Sequence, residues 1–141
     1  MIGAMSLGLA NASEVTASTM KYSNDAPYAA RFYISYKLDD GEACWVKPKS
    51  MSAYAGPGAW VKYSLDDDMQ VFLGPDECLA VGDQIPNGME VWGKIQIDFG
   101  DTESCRKNKR VIYKSSGGLI SYKTKGTTLN NNRCRVTSWP G

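Results

Sequence analysis

Four cysteines, fifteen carboxylates, sixteen bases and no histidine set the chemistry open to this chain of 141 residues. The cysteines, Cys44, Cys78, Cys105 and Cys134, stand singly and far apart. A zinc site needs clustered thiolate or imidazole ligands. Here there is neither a C-x-x-C pair nor any imidazole, so no metal and no other cofactor is expected. An even number of dispersed cysteines reads instead as two disulfides formed in an oxidising compartment. Four cysteines allow three connectivities; Cys44–Cys78 with Cys105–Cys134 is preferred, because each bridge would staple strands close in sequence.

The same inventory argues against an enzyme. Without histidine there is no Ser-His-Asp or Cys-His nucleophile, and oxidised cysteines leave no thiolate. Glycoside hydrolysis takes two carboxyls roughly 5–9 Å apart across a cleft. Asp98, Asp101 and Glu103 are available, but nothing singles them out. The acidic run Asp66, Asp67 and Asp68, followed by Asp76 and Glu77, lacks the alternate ligand spacing of an EF-hand. It reads as a solvated turn.

Charge is where the sequence is most uneven. The net value is only +1, yet all fifteen acids lie at or before Glu103. From Cys105 onward stand nine bases and no acid: Arg106, Lys107, Lys109, Arg110, Lys114, Lys123, Lys125, Arg133 and Arg135. Such asymmetry suggests an anionic partner for the basic part: lipid headgroups, a charged glycan or another cell-surface polyanion. The competing reading is internal neutralisation, with late strands laid beside earlier acidic ones.

Aromatic residues add a second candidate surface. In "SMSAYAGPGAWVKYS", Gly56-Pro57-Gly58 must be a loop, since proline fixes φ and lacks a donor while glycine is permissive. Tyr54 and Trp60 flank it, as rings that could meet a sugar face or a lipid interface, or else turn inward at strand ends. Trp92 lies on the strand face opposite Ile95 and Ile97, and is a further contact candidate unless the chain's end covers it. Trp45, next to Cys44, is expected in the core against the disulfide.

The elements that must position these residues are strands. In "RFYISYKL" Phe32, Ile34, Tyr36 and Leu38 alternate with Arg31, Tyr33, Ser35 and Lys37. "VWGKIQIDF" repeats the pattern, with Val91, Ile95, Ile97 and Phe99 on one face. Strict alternation is what a half-buried strand needs, because successive side chains point to opposite faces. Asp40-Gly41 and Asn87-Gly88 read as turns between such runs. No window carries a capped helical stripe. The fold expected is all-β: a single antiparallel β-sandwich, or alternatively a small β-barrel, stapled by two disulfides.

"MIGAMSLGLANASEV" opens the chain with an apolar run, and Ala10-Asn11-Ala12 has the small-x-small form of a cleavage site. It is too short to span a bilayer, and no basic residue precedes it. Residues 1–12 are therefore expected to be a partial signal peptide or an N-terminal tail, and residues 13–141 one domain. The function expected is a secreted or periplasmic binding module, not an integral membrane protein. It would grip an anionic or glycan-bearing surface through Tyr54, Trp60, Trp92 and the basic C-terminal strands. The alternative is a secreted inhibitor that inserts the "YAGPGAW" loop into a protein target. Salt separates the two, since a charge-driven binder weakens as salt rises.

Overall fold

Period-two alternation becomes strand throughout. The computed structural model describes residues 14–78, 84–98, 100–105, 109–125 and 133–140, and all regular structure in them is β. The strands are β1 (Glu14–Asn24), β2 (Ala30–Lys37), β3 (Ala43–Pro48), β4 (Tyr54–Ala55), β5 (Trp60–Ser64) and β6 (Met69–Leu73). They continue with β7 (Glu90–Ile97), β8 (Thr102–Ser104), β9 (Arg110–Tyr113), β10 (Gly118–Lys125) and β11 (Arg133–Ser138). The opening run 1–12, and with it the expected cleavage site, lies outside the described residues.

All eleven strands belong to one sheet, whose main path is β11-β10-β1-β9-β7-β2-β3-β6. Short strands β4, β5 and β8 pair with β2, β1 and β7. Most pairings are antiparallel, as the tight turns lead one to expect. Strand β1 adds two parallel ones, with β9 along Glu14–Ala17 and with β10 along Ala17–Asn24. The two partners follow each other along β1, and residues 114–117 make the step between them. There Lys114 N–H donates to Ala17 O at 3.1 Å and Ser18 Oγ donates to Gly117 O at 2.7 Å. Gly117 is required: a Cβ on it would sit 2.7 Å from the backbone nitrogen of Ala17.

The alternating faces enclose an aromatic core. Tyr22 of β1 stacks on Phe32 of β2 with ring centroids 4.8 Å apart, and Tyr63 and Tyr122 pack on the same phenylalanine. Such pairs add about 0.5–1.5 kcal/mol beyond the area they bury. Gly93 of β7 makes room, since a Cβ there would meet Phe32 at 2.7 Å. The phenol oxygens need partners in this interior. Tyr22 shares a hydrogen bond of 2.6 Å with Thr124, and the Tyr63 hydroxyl lies 2.9 Å from the carbonyls of both Phe32 and Ser52. Burial pushes the Tyr22 phenol up to about 12, and raises Tyr63 and Tyr122 as well.

Both preferred disulfides are formed. Cys44–Cys78 ties β3 to the turn after β6, with Cα atoms 5.9 Å apart. Cys105–Cys134 ties the end of β8 to β11, with Cα atoms 4.9 Å apart. Two bridges suit an oxidising, extracellular-type environment. Among the described residues, no helix is long and apolar enough to cross a membrane.

Candidate functional site

Strands β5, β1, β10 and β11 lie side by side, and inward packing decides what they show outside. Met20, Tyr22 and Asn24 of β1, Ile120, Tyr122 and Thr124 of β10, and Cys134 of β11 are buried. Their neighbours in sequence must therefore face outward. Register sets these neighbours in rows. Lys62 of β5 stands beside Lys21 of β1. One row on, Trp60 is beside Ser23, Ser23 beside Lys123, and Lys123 beside Arg135. In the next row Lys125 pairs with Arg133.

Six bases thus form a diagonal strip across four strands: Lys62, Lys21, Lys123, Arg135, Lys125 and Arg133. With strands about 4.8 Å apart and rows about 6.7 Å apart, it runs on the order of 20 Å. Asp25 stands among them, its carboxylate 3.4 Å from Lys123 Nζ. At the strip's lower end Lys123, Lys125, Arg135, Val136 and Thr137 line a depression of about 210 Å³. Charge-assisted bonds from such bases, with a threonine hydroxyl, suit a sulfate or phosphate group.

Trp60 closes the other end and is 59% exposed. Lys21 Nζ rests 4.8 Å from its ring centroid. That contact, worth about 0.5–1 kcal/mol at an exposed site, holds the indole against the strip. Tyr54, 49% exposed, stands on the far side of the Gly56-Pro57-Gly58 turn with the Arg31 guanidinium 6.0 Å over its ring. Both rings therefore face solvent, which decides against the inward alternative.

The loop between them is held from below by Asn24. Buried at the end of β1, it donates through Nδ2 to Tyr28 O at 2.7 Å, Ala55 O at 2.9 Å and Gly56 O at 3.3 Å. Its Oδ1 accepts from Ala26 N–H at 3.0 Å. The Asn24 backbone also accepts from Gly58 N–H at 2.8 Å and donates to Ala59 O at 2.9 Å. Gly58 turns the chain with φ +78°, a conformation that glycine takes without strain.

The remaining sequence expectations divide. Lys123, Lys125, Arg133 and Arg135 come together on neighbouring strands. Arg110 does not join them in the rows of the strip. Parallel register sets it against Glu14, at 2.7 Å, and Glu90 also lies within 3.5 Å, so its charge is neutralised internally. Lys109 lies over the Trp139 ring at 5.3 Å. Arg106 and Lys107 lie outside the described residues. Trp92 is corrected: at 8% exposure it cannot offer a ring to a ligand. It faces outward as alternation requires, but it stands in register with Ser35, and Ser35 with Trp45, on a face crowded by large side chains. Trp45 belongs to that face rather than to the core. Half-buried, it packs with Tyr33 and Phe72 and lies 4.9 Å beneath Lys94 Nζ. The acidic turn after β5 is engaged by the sheet, for the Tyr113 hydroxyl donates to Asp66 at 2.5 Å.

Lys21 and Lys62 were missed because each stands alone among acids and neutral residues in sequence. Only the pairing of β1 with β5 and β10 brings them to the strip. No protein-family model matches the chain, and comparison with curated proteins finds no match.

Proposed function

We propose that this chain is an exported β-domain that attaches to an anionic polymer or surface through the strip on β5, β1, β10 and β11. The observation that carries the reading is six bases on one outward face, where the ion pair seen among the described residues is that of Lys123 with Asp25. Two disulfides support an oxidising destination outside the cytosol. Trp60 supplies an apolar contact at the strip's end, which salt does not screen. Bases, one indole and a shallow depression are groups suited to holding an anionic ligand.

The test compares wild type with a Lys125→Glu, Arg135→Glu double variant on immobilised heparin and on vesicles containing phosphatidylserine. Both residues are exposed and neither supports the core. Each base near an anionic surface adds about 1 kcal/mol, so loss of two weakens binding by about 30-fold and their reversal by at least that. Retention should also fall steeply with salt, and the two matrices separate glycan from lipid. Retention that ignores both salt and charge reversal would overturn the reading. That outcome would favour a second one, in which the clamped Tyr54–Trp60 loop enters a cleft on a protein target.

A further inference from the structure

The opposite end of the sheet path is built differently. Strand β6 ends the sheet path and pairs only with β3 among the described residues, so no described strand takes up its second edge. Its last three side chains are apolar and open to solvent: Val71 is 38% exposed, Phe72 49% and Leu73 55%. Proteins blunt such edges with charge, proline or short length, because they template pairing with other chains. Here the middle is left apolar, and the charges stand only at its two ends. Asp67 and Asp68 precede the strand, and Asp76 and Glu77 follow it, all exposed.

The edge is also held in shape. Phe72 stacks on Tyr33 at 4.3 Å, which anchors the strand's outward face. Cys78 is bonded to Cys44 of β3, which fixes the turn beyond Leu73. Gly74 lets the chain reach that bridge: it has φ +155°, and a Cβ on it would lie 2.5 Å from Cys78 Sγ. An ordered edge loses little freedom when a partner strand adds to it.

We infer that β6 is a docking edge for an extended segment of another protein, apolar at alternate positions and basic at both ends. The backbone of Gln70–Leu73 would pair with it as a further strand, and the flanking carboxylates would select its ends. A second copy of β6 is the wrong occupant. Antiparallel pairing would set Asp67 and Asp68 of one copy against Asp76 and Glu77 of the other, and like charges placed opposite repel.

The experiment uses the oxidised protein and synthetic nonapeptides of alternating valine and threonine, ended by two lysines or by two glutamates on each side. Fluorescence anisotropy reads affinity, and amide exchange reads the location. The lysine-ended peptide should bind saturably and protect Gln70–Leu73, and the glutamate-ended one should bind at least ten times more weakly. Of two versions N-methylated on alternate residues, the one blocked on its pairing edge should lose binding and the other keep it. The inference is overturned by no saturable binding up to about 1 mM, by equal affinity of lysine- and glutamate-ended peptides, or by indifference to N-methylation. A dimer in sedimentation that Val71→Lys dissociates would overturn it too, since the edge would then belong to a second copy.

Discussion

Asn24 does for the Tyr54–Trp60 turn what no residue of the turn does for itself. Its amide nitrogen donates toward three carbonyls, and its oxygen accepts from Ala26 N–H. Asn24→Asp keeps size and shape but removes every donor and sets a carboxylate oxygen against carbonyls. Leaving buried polar groups unsatisfied costs about 1–3 kcal/mol, and chemical denaturation should show a loss of that order. Trp60 emission should shift at the same time, because the turn that places the indole is no longer clamped. Unchanged emission and stability would mean that the turn holds itself. This residue was not legible in advance, since one asparagine at the end of an alternating run looks like a strand terminus. Trp60 and Tyr54 were legible as a pair flanking a Gly-Pro-Gly loop. Trp92 was legible as to face but not as to burial, because exposure depends on the strands alongside.

At the scale of the element, alternation identified the long strands and the cysteine spacing identified the staples. Parallel pairing of β1 with β9 and β10 left no local mark, because it joins residues about a hundred positions apart through the close approach of Gly117 to Ala17. That one unread pairing decides the fate of the bases. It neutralises Arg110 against Glu14 and gathers Lys21 with Lys123. Strand β11 carries Arg133 and Arg135, and its bridge to Cys105 closes a separation of 29 residues. Replacing Cys105 and Cys134 together by serine should cost about 3 kcal/mol. Binding should weaken too although no base is replaced, since a frayed β11 withdraws two of six charges from the strip. Heparin retention that stays at the wild-type level after the double replacement would show that β10 holds β11 without the bridge.

Over the whole molecule, charge separates by place in the fold. Bases collect on the outward face at one end of the strand path and acids flank the strand at the other, while the net charge stays at +1. The sequence showed this only as an acid-free stretch after Glu103, because folding, not order along the chain, sorts charges into faces. Between the two ends lies a core whose polar atoms are largely tyrosine hydroxyls, and this predicts how stability responds to pH. No histidine is present to titrate near neutrality. Burial raises Tyr22 to about 12, and Tyr113 to about 12 with help from its hydrogen bond to Asp66; Tyr63 and Tyr122 move the same way. A phenol whose pKa is higher in the folded state holds its proton better there than in the unfolded chain. Its contribution is therefore complete below about pH 10, the unfolded value, and is lost as pH rises toward the folded one. Melting temperature should accordingly be level from pH 6 to about 9 and fall steeply between about pH 10 and 12. Tyrosinate absorbance should develop in two stages, with the buried phenols ionising only as the fold is lost. Tyr22→Phe, which removes one such group together with its bond to Thr124, should lower stability at pH 8 yet make the alkaline fall shallower. A variant as steep as wild type would show that Tyr22 does not drive the alkaline transition.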